Sequence, residues 1–178
     1  MRLLLALTLA LAATADATDT VRTEAAGLRL TLPRAWRRVP AVPDTRAAQY
    51  EVPRAEGETA ETDFAINFVG EGKGGSAPES LERWYGRFTQ PDGRPSREMA
   101  VVTTRTVNGL KVTAIDLAGT YVAAGTGPPL GVSGFRMLGA VVEGPGGPWF
   151  IEMLGPARTV GAAKADFDAL TGALDPHR

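Results

Sequence analysis

Apolar and polar residues alternate in several short stretches of this chain, and each such stretch predicts a strand. Leu28, Leu30 and Leu32 are separated by Arg29 and Thr31, the period of two that turns one face of a strand to a core and the other to water. Pro33 ends the pattern. Trp36 follows among Arg34, Arg37 and Arg38, where it either folds back as a lid on the sheet edge or helps to form a binding surface. Further extended stretches are expected at residues 47–52 and 63–69, the second with Phe64, Ile66 and Phe68 on one face. Residues 54–62 are small and acidic and read as a solvated turn. The run Gly70-Glu71-Gly72-Lys73-Gly74-Gly75-Ser76 is a loop by composition.

Beyond that loop the period changes. Leu81, Trp84, Tyr85 and Phe88 fall at i, i+3, i+4 and i+7, which predicts an amphipathic helix. Ser76 or Ser80 can cap it, Pro78 suits its first turn, and Glu79 and Arg83 are spaced for an ion pair on its other side. The turn Pro91-Asp92-Gly93 is expected to stop it. Strands follow at 100–107 and 110–121, joined by Asn108-Gly109. Both turn residues tolerate the positive φ of a type I′ hairpin. In the second strand Leu110, Val112 and Ala114 share one parity while Ile115, Leu117 and Tyr121 take the other. That phase change predicts a β-bulge near Ala114 and Ile115.

Residues 123–134 form a loop rich in Gly and Pro. Strands at 135–143 and 149–154 make a second hairpin through Gly144-Pro145-Gly146-Gly147-Pro148, and Val160, Ala163, Phe167, Leu170 and Leu174 recur at helical spacing. The expected fold class is therefore α+β: a single antiparallel twisted sheet of about six to seven strands with two packed helices.

The N-terminus changes the picture of where this domain works. Met1-Arg2 is followed by an apolar run from Leu3 to Ala13, broken only by Thr8, and then by Ala13-Thr14-Ala15 and Ala15-Asp16-Ala17. This is the pattern of a secretory signal peptide, too short for the roughly 20 apolar residues of a bilayer span. Cleavage after Ala15 or Ala17 would leave a chain that begins at Asp16 or Thr18, with residues 18–178 expected as one periplasmic or secreted domain with no transmembrane segment. The chain has no cysteine, so a lipid anchor, a disulfide, a thiolate nucleophile and a Cys-ligated metal are all excluded. With 19 basic and 20 acidic residues the formal net charge is −1, which argues against nucleic-acid binding.

The element order resembles the PsbP-like (PsbP/DcrB-type) α+β sandwich family. So do Leu30-Thr31-Leu32-Pro33 leading to Trp36, and Phe150-Ile151-Glu152-Met153-Leu154-Gly155-Pro156 running into Phe167. The stretch from Gly74-Gly75-Ser76 through Arg83-Trp84 and Phe88 to Pro91-Asp92-Gly93 looks most like the secreted bacterial members. The resemblance implies a sandwich fold and an extracytoplasmic accessory role without a known reaction. The metal-ligating histidines of photosynthetic members have no counterpart, since the one histidine is His177; neither a metal nor another cofactor is expected.

Candidate chemistry is sparse. Gly70, Gly72 and Gly75 match G-x-G-x-x-G, but the hairpin that follows the helix does not supply the βαβ unit a dinucleotide site requires. The loop itself remains a candidate. Backbone amides at a helix start attract anions, which makes Gly72, Lys73, Gly74, Gly75 and Ser76 a candidate site for a small anionic ligand or an acidic partner. Trp84, Tyr85 and Phe88 read as core. Asp63, Asp116, Glu143 and Glu152 lie in or beside strands, and catalysis would require two of them to converge. The leading reading is a non-catalytic secreted or periplasmic binding or accessory module for an envelope protein or a small ligand. The alternatives are a carboxylate-dependent hydrolase of the cell envelope and a carrier of a small apolar ligand.

Overall fold

The computed structural model describes residues 19–41, 46–122 and 131–176. The expected signal peptide, residues 123–130 of the expected Gly/Pro loop and His177 lie outside them. Along the chain run β1 (Thr20–Ala25), β2 (Leu28–Pro33), β3 (Arg37–Val39), β4 (Arg46–Val52), β5 (Thr62–Asn67), α1 (Ala77–Tyr85), β6 (Phe88–Thr89) and α2 (Ser96–Met99). They are followed by β7 (Val101–Val107), β8 (Leu110–Val122), β9 (Gly131–Glu143), β10 (Trp149–Pro156), α3 (Ala157–Ala162), α4 (Lys164–Gly172) and β11 (Asp175–Pro176).

The main sheet has eight strands in the order β3-β4-β5-β10-β9-β8-β6, with β7 also paired to β8. A second sheet has the order β1-β2-β11, and the strand pairs of both sheets are antiparallel. The α+β antiparallel architecture is as expected, but the single sheet of six to seven strands with two helices is not. There are two sheets and four helices among the described residues. The elements missing from the expectation are weak in pattern: β1 is largely exposed, and β3, β6 and β11 span three residues or fewer.

The main sheet is buried on both faces. One face holds Phe64, Ile66, Leu110, Val112, Leu138, Ala140, Val142, Trp149 and Ile151 against Val160, Phe167 and Leu170 of α3 and α4 and against Leu28, Leu30 and Leu32 of β2. The other holds Ile115, Leu117, Met137, Val141 and Phe150 against Ala77 and Trp84 of α1 and against Phe88. Each fully buried Leu, Ile or Phe side chain stabilises the fold by roughly 1.5–3 kcal/mol relative to exposure.

This double burial corrects the expected bulge. Ala114 pairs with Ala140 and Ile115 with Gly139 in unbroken register, and the β8–β9 shift lies between Gly119 and Tyr121. The apolar parity changes because the two ends of β8 face different cores. Leu110 and Val112 point to α4, whereas Ile115 and Leu117 point to α1. A strand covered on both faces need not alternate.

The Asn108-Gly109 turn is as expected, with φ of 49° and 82° and Val107 paired to Leu110. The first helix is shorter than its periodicity implied. It ends at Tyr85 with Gly86 as C-cap, and Phe88 enters the same core from β6. The closing helix is two: α3 and α4 meet at Ala163, and Leu174 lies beyond the second.

Candidate functional site

The glycine-rich loop sits between β5 and α1 and is tied down from several sides. The Gly72 amide donates to Gly147 O at 2.8 Å, which fastens the loop to the β9–β10 turn, and the Lys73 amide donates to Gly70 O at 3.0 Å. Gly74 has φ 94°, and a Cβ there would come within 2.5 Å of the Phe150 ring. Packing therefore demands a glycine at this position. The Lys73 side chain is exposed.

The start of α1 carries its own anion. Ser76 is the N-cap in a capping box with Glu79. Glu79 Oε2 accepts from the Ser76 amide at 2.7 Å and from Ser76 Oγ at 2.8 Å. The Ser76 amide, then its hydroxyl, together with the nearby Arg83, hold the Glu79 carboxyl below the usual glutamate range. Arg83 Nη2 donates instead to Gly74 O at 3.2 Å and Ser80 Oγ at 2.8 Å. The expected Glu79–Arg83 contact is thus replaced by two links that brace the loop against the helix. Among the described residues, the amides of Gly74 and Gly75 donate no hydrogen bond.

Trp36 is not a surface aromatic. It is 6% exposed, and its ring centroid lies 4.9 Å from that of Phe64. It closes the core beside Tyr50, whose ring also meets Phe64. Arg34, Arg37 and Arg38 around it are exposed.

The four candidate acids do not converge on one another. Asp63 Oδ2 lies 2.7 Å from Arg46 Nη1, and Asp63 Oδ1 accepts from Gln49 Nε2 at 2.9 Å. Asp116 is held by both arms of Arg136, at 2.7 and 2.6 Å. Glu143 Oε2 is 3.0 Å from Lys111 Nζ, and Glu152 Oε2 accepts from Arg87 Nη1 at 2.6 Å. Each carboxylate is matched with a different cation rather than with another acid, so these four do not form the paired-carboxylate arrangement that acid–base chemistry uses. Among the described residues, no group of three or more acids or histidines is placed to hold a metal ion. No described helix is long and apolar enough to cross a membrane.

A surface groove lies elsewhere, on the small sheet. It has a volume of about 620 Å³ and is lined by Arg22, Thr23, Glu24, Arg29, Thr31 and Asp175, together with Leu30 and Ala173. Arg29 reaches Asp175 at 3.4 Å and Glu24 at 3.9 Å. Sequence reasoning missed this site. Arg29 and Thr31 are the polar phase of β2, as alternation requires, but nothing local links them to Asp175, 146 positions away. A second groove of about 330 Å³ lies at the end of β4 and includes Arg37, Glu51, Arg54 and Glu61.

Comparison with known proteins places the fold. No family model matches the chain, and no curated protein matches it either. Among solved structures, the chain is similar to the solution structure of cyanobacterial PsbP (CyanoP) from Synechocystis sp. PCC 6803, with a TM-score of 0.54 and 12% sequence identity. The match covers 93% of this chain and 98% of that one. The fold is PsbP-like.

Proposed function

We propose that this PsbP-like domain is a non-catalytic binding or accessory module of the periplasm or extracellular space, and that its ligand or partner lies in the groove over β1, β2 and β11. The observation that carries the non-catalytic reading is the pairing of Asp63, Asp116, Glu143 and Glu152 with Arg46, Arg136, Lys111 and Arg87. A carboxylate-dependent hydrolase needs two acids whose environments separate their pKa values, and these four face cations instead. The groove supports binding through its lining. Threonine hydroxyls, two guanidinium groups and two carboxylates match a polar ligand with both donors and acceptors, such as a peptide segment or a glycan.

A second reading keeps the ligand at the loop before α1. The amides of Gly74 and Gly75 donate to nothing among the described residues, and the Lys73 ammonium is beside them in sequence and exposed. An anion there would have to compete with Glu79.

Thermal shifts separate the readings. A ligand at about 100 times its Kd stabilises the fold by roughly 2.7 kcal/mol. Peptides, glycans and simple anions are screened at fixed ionic strength. Stabilisation abolished by Arg22→Ala with Thr31→Ala places the ligand in the groove; stabilisation abolished by Lys73→Ala with Ser76→Ala places it at the loop. Hydrolysis of an envelope substrate that disappears in Glu152→Gln or Asp63→Asn would overturn the non-catalytic reading. Export is tested by intact mass: protein recovered from the native envelope should begin at Asp16 or Thr18, and full-length chain in the cytoplasm would contradict it.

A further inference from the structure

β7 is an edge strand without the usual guards. Val101 to Thr106 are exposed in succession, with Val101 63% and Val102 40% accessible. Monomeric proteins protect such edges with lysine, proline, a bulge or a covering element. Here the sequence is Val-Val-Thr-Thr-Arg-Thr-Val, and the register with β8 runs without a shift from Val101–Asp116 to Val107–Leu110. Among the described residues no strand pairs with the outer side of β7. Its one charge is turned away: Arg105 Nη2 donates to Thr171 Oγ1 at 2.7 Å and to Asp168 O at 3.3 Å, both on α4.

The hairpin decides which backbone groups face outward. A two-residue turn makes its flanking residues a hydrogen-bonded pair, here Val107 and Leu110. By alternation, residues 101, 103 and 105 also direct their N–H and C=O groups to β8. Those of Val102, Thr104 and Thr106 point away from the sheet.

We infer that this edge pairs with the same edge of a second copy of the chain, antiparallel about a two-fold axis at Thr104. In that register Thr104 lies opposite Thr104, and Val102 opposite Thr106, so every outward N–H meets an outward C=O. A slide that brought Ala100 into the ladder would lose bonds, because the Ala100 amide already donates to Ser96 O. The pairing is also complementary in charge and shape. Cross-strand neighbours are Val–Thr and Thr–Thr on one face and Val101–Val107 and Thr103–Arg105 on the other. No like charges stand opposite one another, and β-branched pairs are the favoured contacts of a ladder. The contact is isologous and closes on itself. Two edges of seven residues each fall below the roughly 1,000 Å² of a stable interface, so the dimer is weak and concentration-dependent. The inference is independent of the groove, which lies on the other sheet.

Sedimentation velocity and amide hydrogen exchange on the purified protein, from micromolar to millimolar concentration, test it. In dilute solution the amides of Thr103, Arg105 and Val107 are protected while those of Val102, Thr104 and Thr106 exchange freely. At high concentration the second set gains at least about tenfold protection as its edge closes, and the sedimentation coefficient rises to that of a dimer. Thr104→Pro removes an outward N–H without touching the β8 ladder and should keep the protein monomeric. Val102→Lys adds charge at an exposed position and should do the same, so the readout survives if the proline variant unfolds. A monomer at every concentration with Val102, Thr104 and Thr106 unprotected, or a dimer that persists in Val102→Lys, would overturn the pairing.

Discussion

The ring of Trp84 fills the space that a side chain on Gly139 would occupy. A Cβ at that position would lie 2.9 Å from Trp84 Cζ3 and 2.9 Å from Ile115 Cγ2. Glycine in the middle of a strand ordinarily weakens it; here it lets α1 settle onto the sheet through its largest residue. Gly139→Ala should therefore destabilise the protein by about 1–3 kcal/mol through overpacking. Trp84→Ala should cost about 3–5 kcal/mol through the cavity it leaves. Combined, the two should cost less than their sum, because the added methyl enters the vacated space. Urea unfolding followed by far-UV circular dichroism measures all three variants.

The β7–β8 turn depends on positive φ at two consecutive residues. Gly109→Val should lower stability by roughly 1–3 kcal/mol, the strain of a β-branched residue held at φ near 82°. Asn108→Ala should also destabilise, for a different reason. Asn108 Nδ2 donates to Leu174 O at 2.9 Å, so its loss releases the segment that leads into β11. Hydrogen exchange should show the first change loosening β7 and the second loosening residues 172–176.

Arg136 and Asp116 form a two-armed pair, with side chains 23% and 21% exposed. Asp116→Ala alone should cost about 1–3 kcal/mol, because it leaves a half-buried guanidinium without its carboxylate. The double variant with Arg136→Met should recover part of that loss, giving a coupling energy near 1 kcal/mol in a double-mutant cycle. Equal, additive losses would show that the pair is screened by solvent.

Acid should weaken α1 first at its N-terminus. The folded Glu79 carboxyl titrates below its ordinary value, chiefly through the Ser76 amide. A carboxylate with a lowered folded pKa contributes fully above the unfolded value of about 4.3, and the contribution fades as pH falls through the folded one. Glu79 is solvent-exposed, so the effect belongs to local fraying. Carboxyl NMR titration should find its pKa raised in Ser76→Ala, and in Glu79→Gln the acid-dependent fraying of residues 77–80 should disappear.

The two hairpins and the first helix were legible because their signals are local: a turn dipeptide, a capping serine, residues four apart. Phe64, Ile66 and Phe68 lie on the side that alternation assigned. What failed was inference about context. The parity change at Ala114 was a property of two cores, and no single strand records how many layers cover it. Trp36 stood among arginines and was ambiguous for the same reason, since only the fold shows Phe64 beneath it. The C-terminal helix broke at Ala163, where α3 contains Gly161, a poor helix former, whose Cβ position lies 3.2 Å from Arg136 Nη1. The groove was illegible altogether, being made of the polar phase of β2, an exposed β1 and a two-residue strand near the other end of the sequence.

That last arrangement carries a consequence for the order of assembly. β7–β8 and β9–β10 join neighbours in sequence and can form as soon as their turns close. The β2–β11 ladder instead joins Leu28 and Arg29 to Pro176 and Asp175, among the longest loop closures in the chain and so among the slowest to be compensated. The wall that holds Arg29 against Asp175 is thus a late-formed clasp. A molecule clipped before residue 175 would keep the ladders of its main sheet yet lose this clasp, and with it the Asp175 carboxylate that lines the groove.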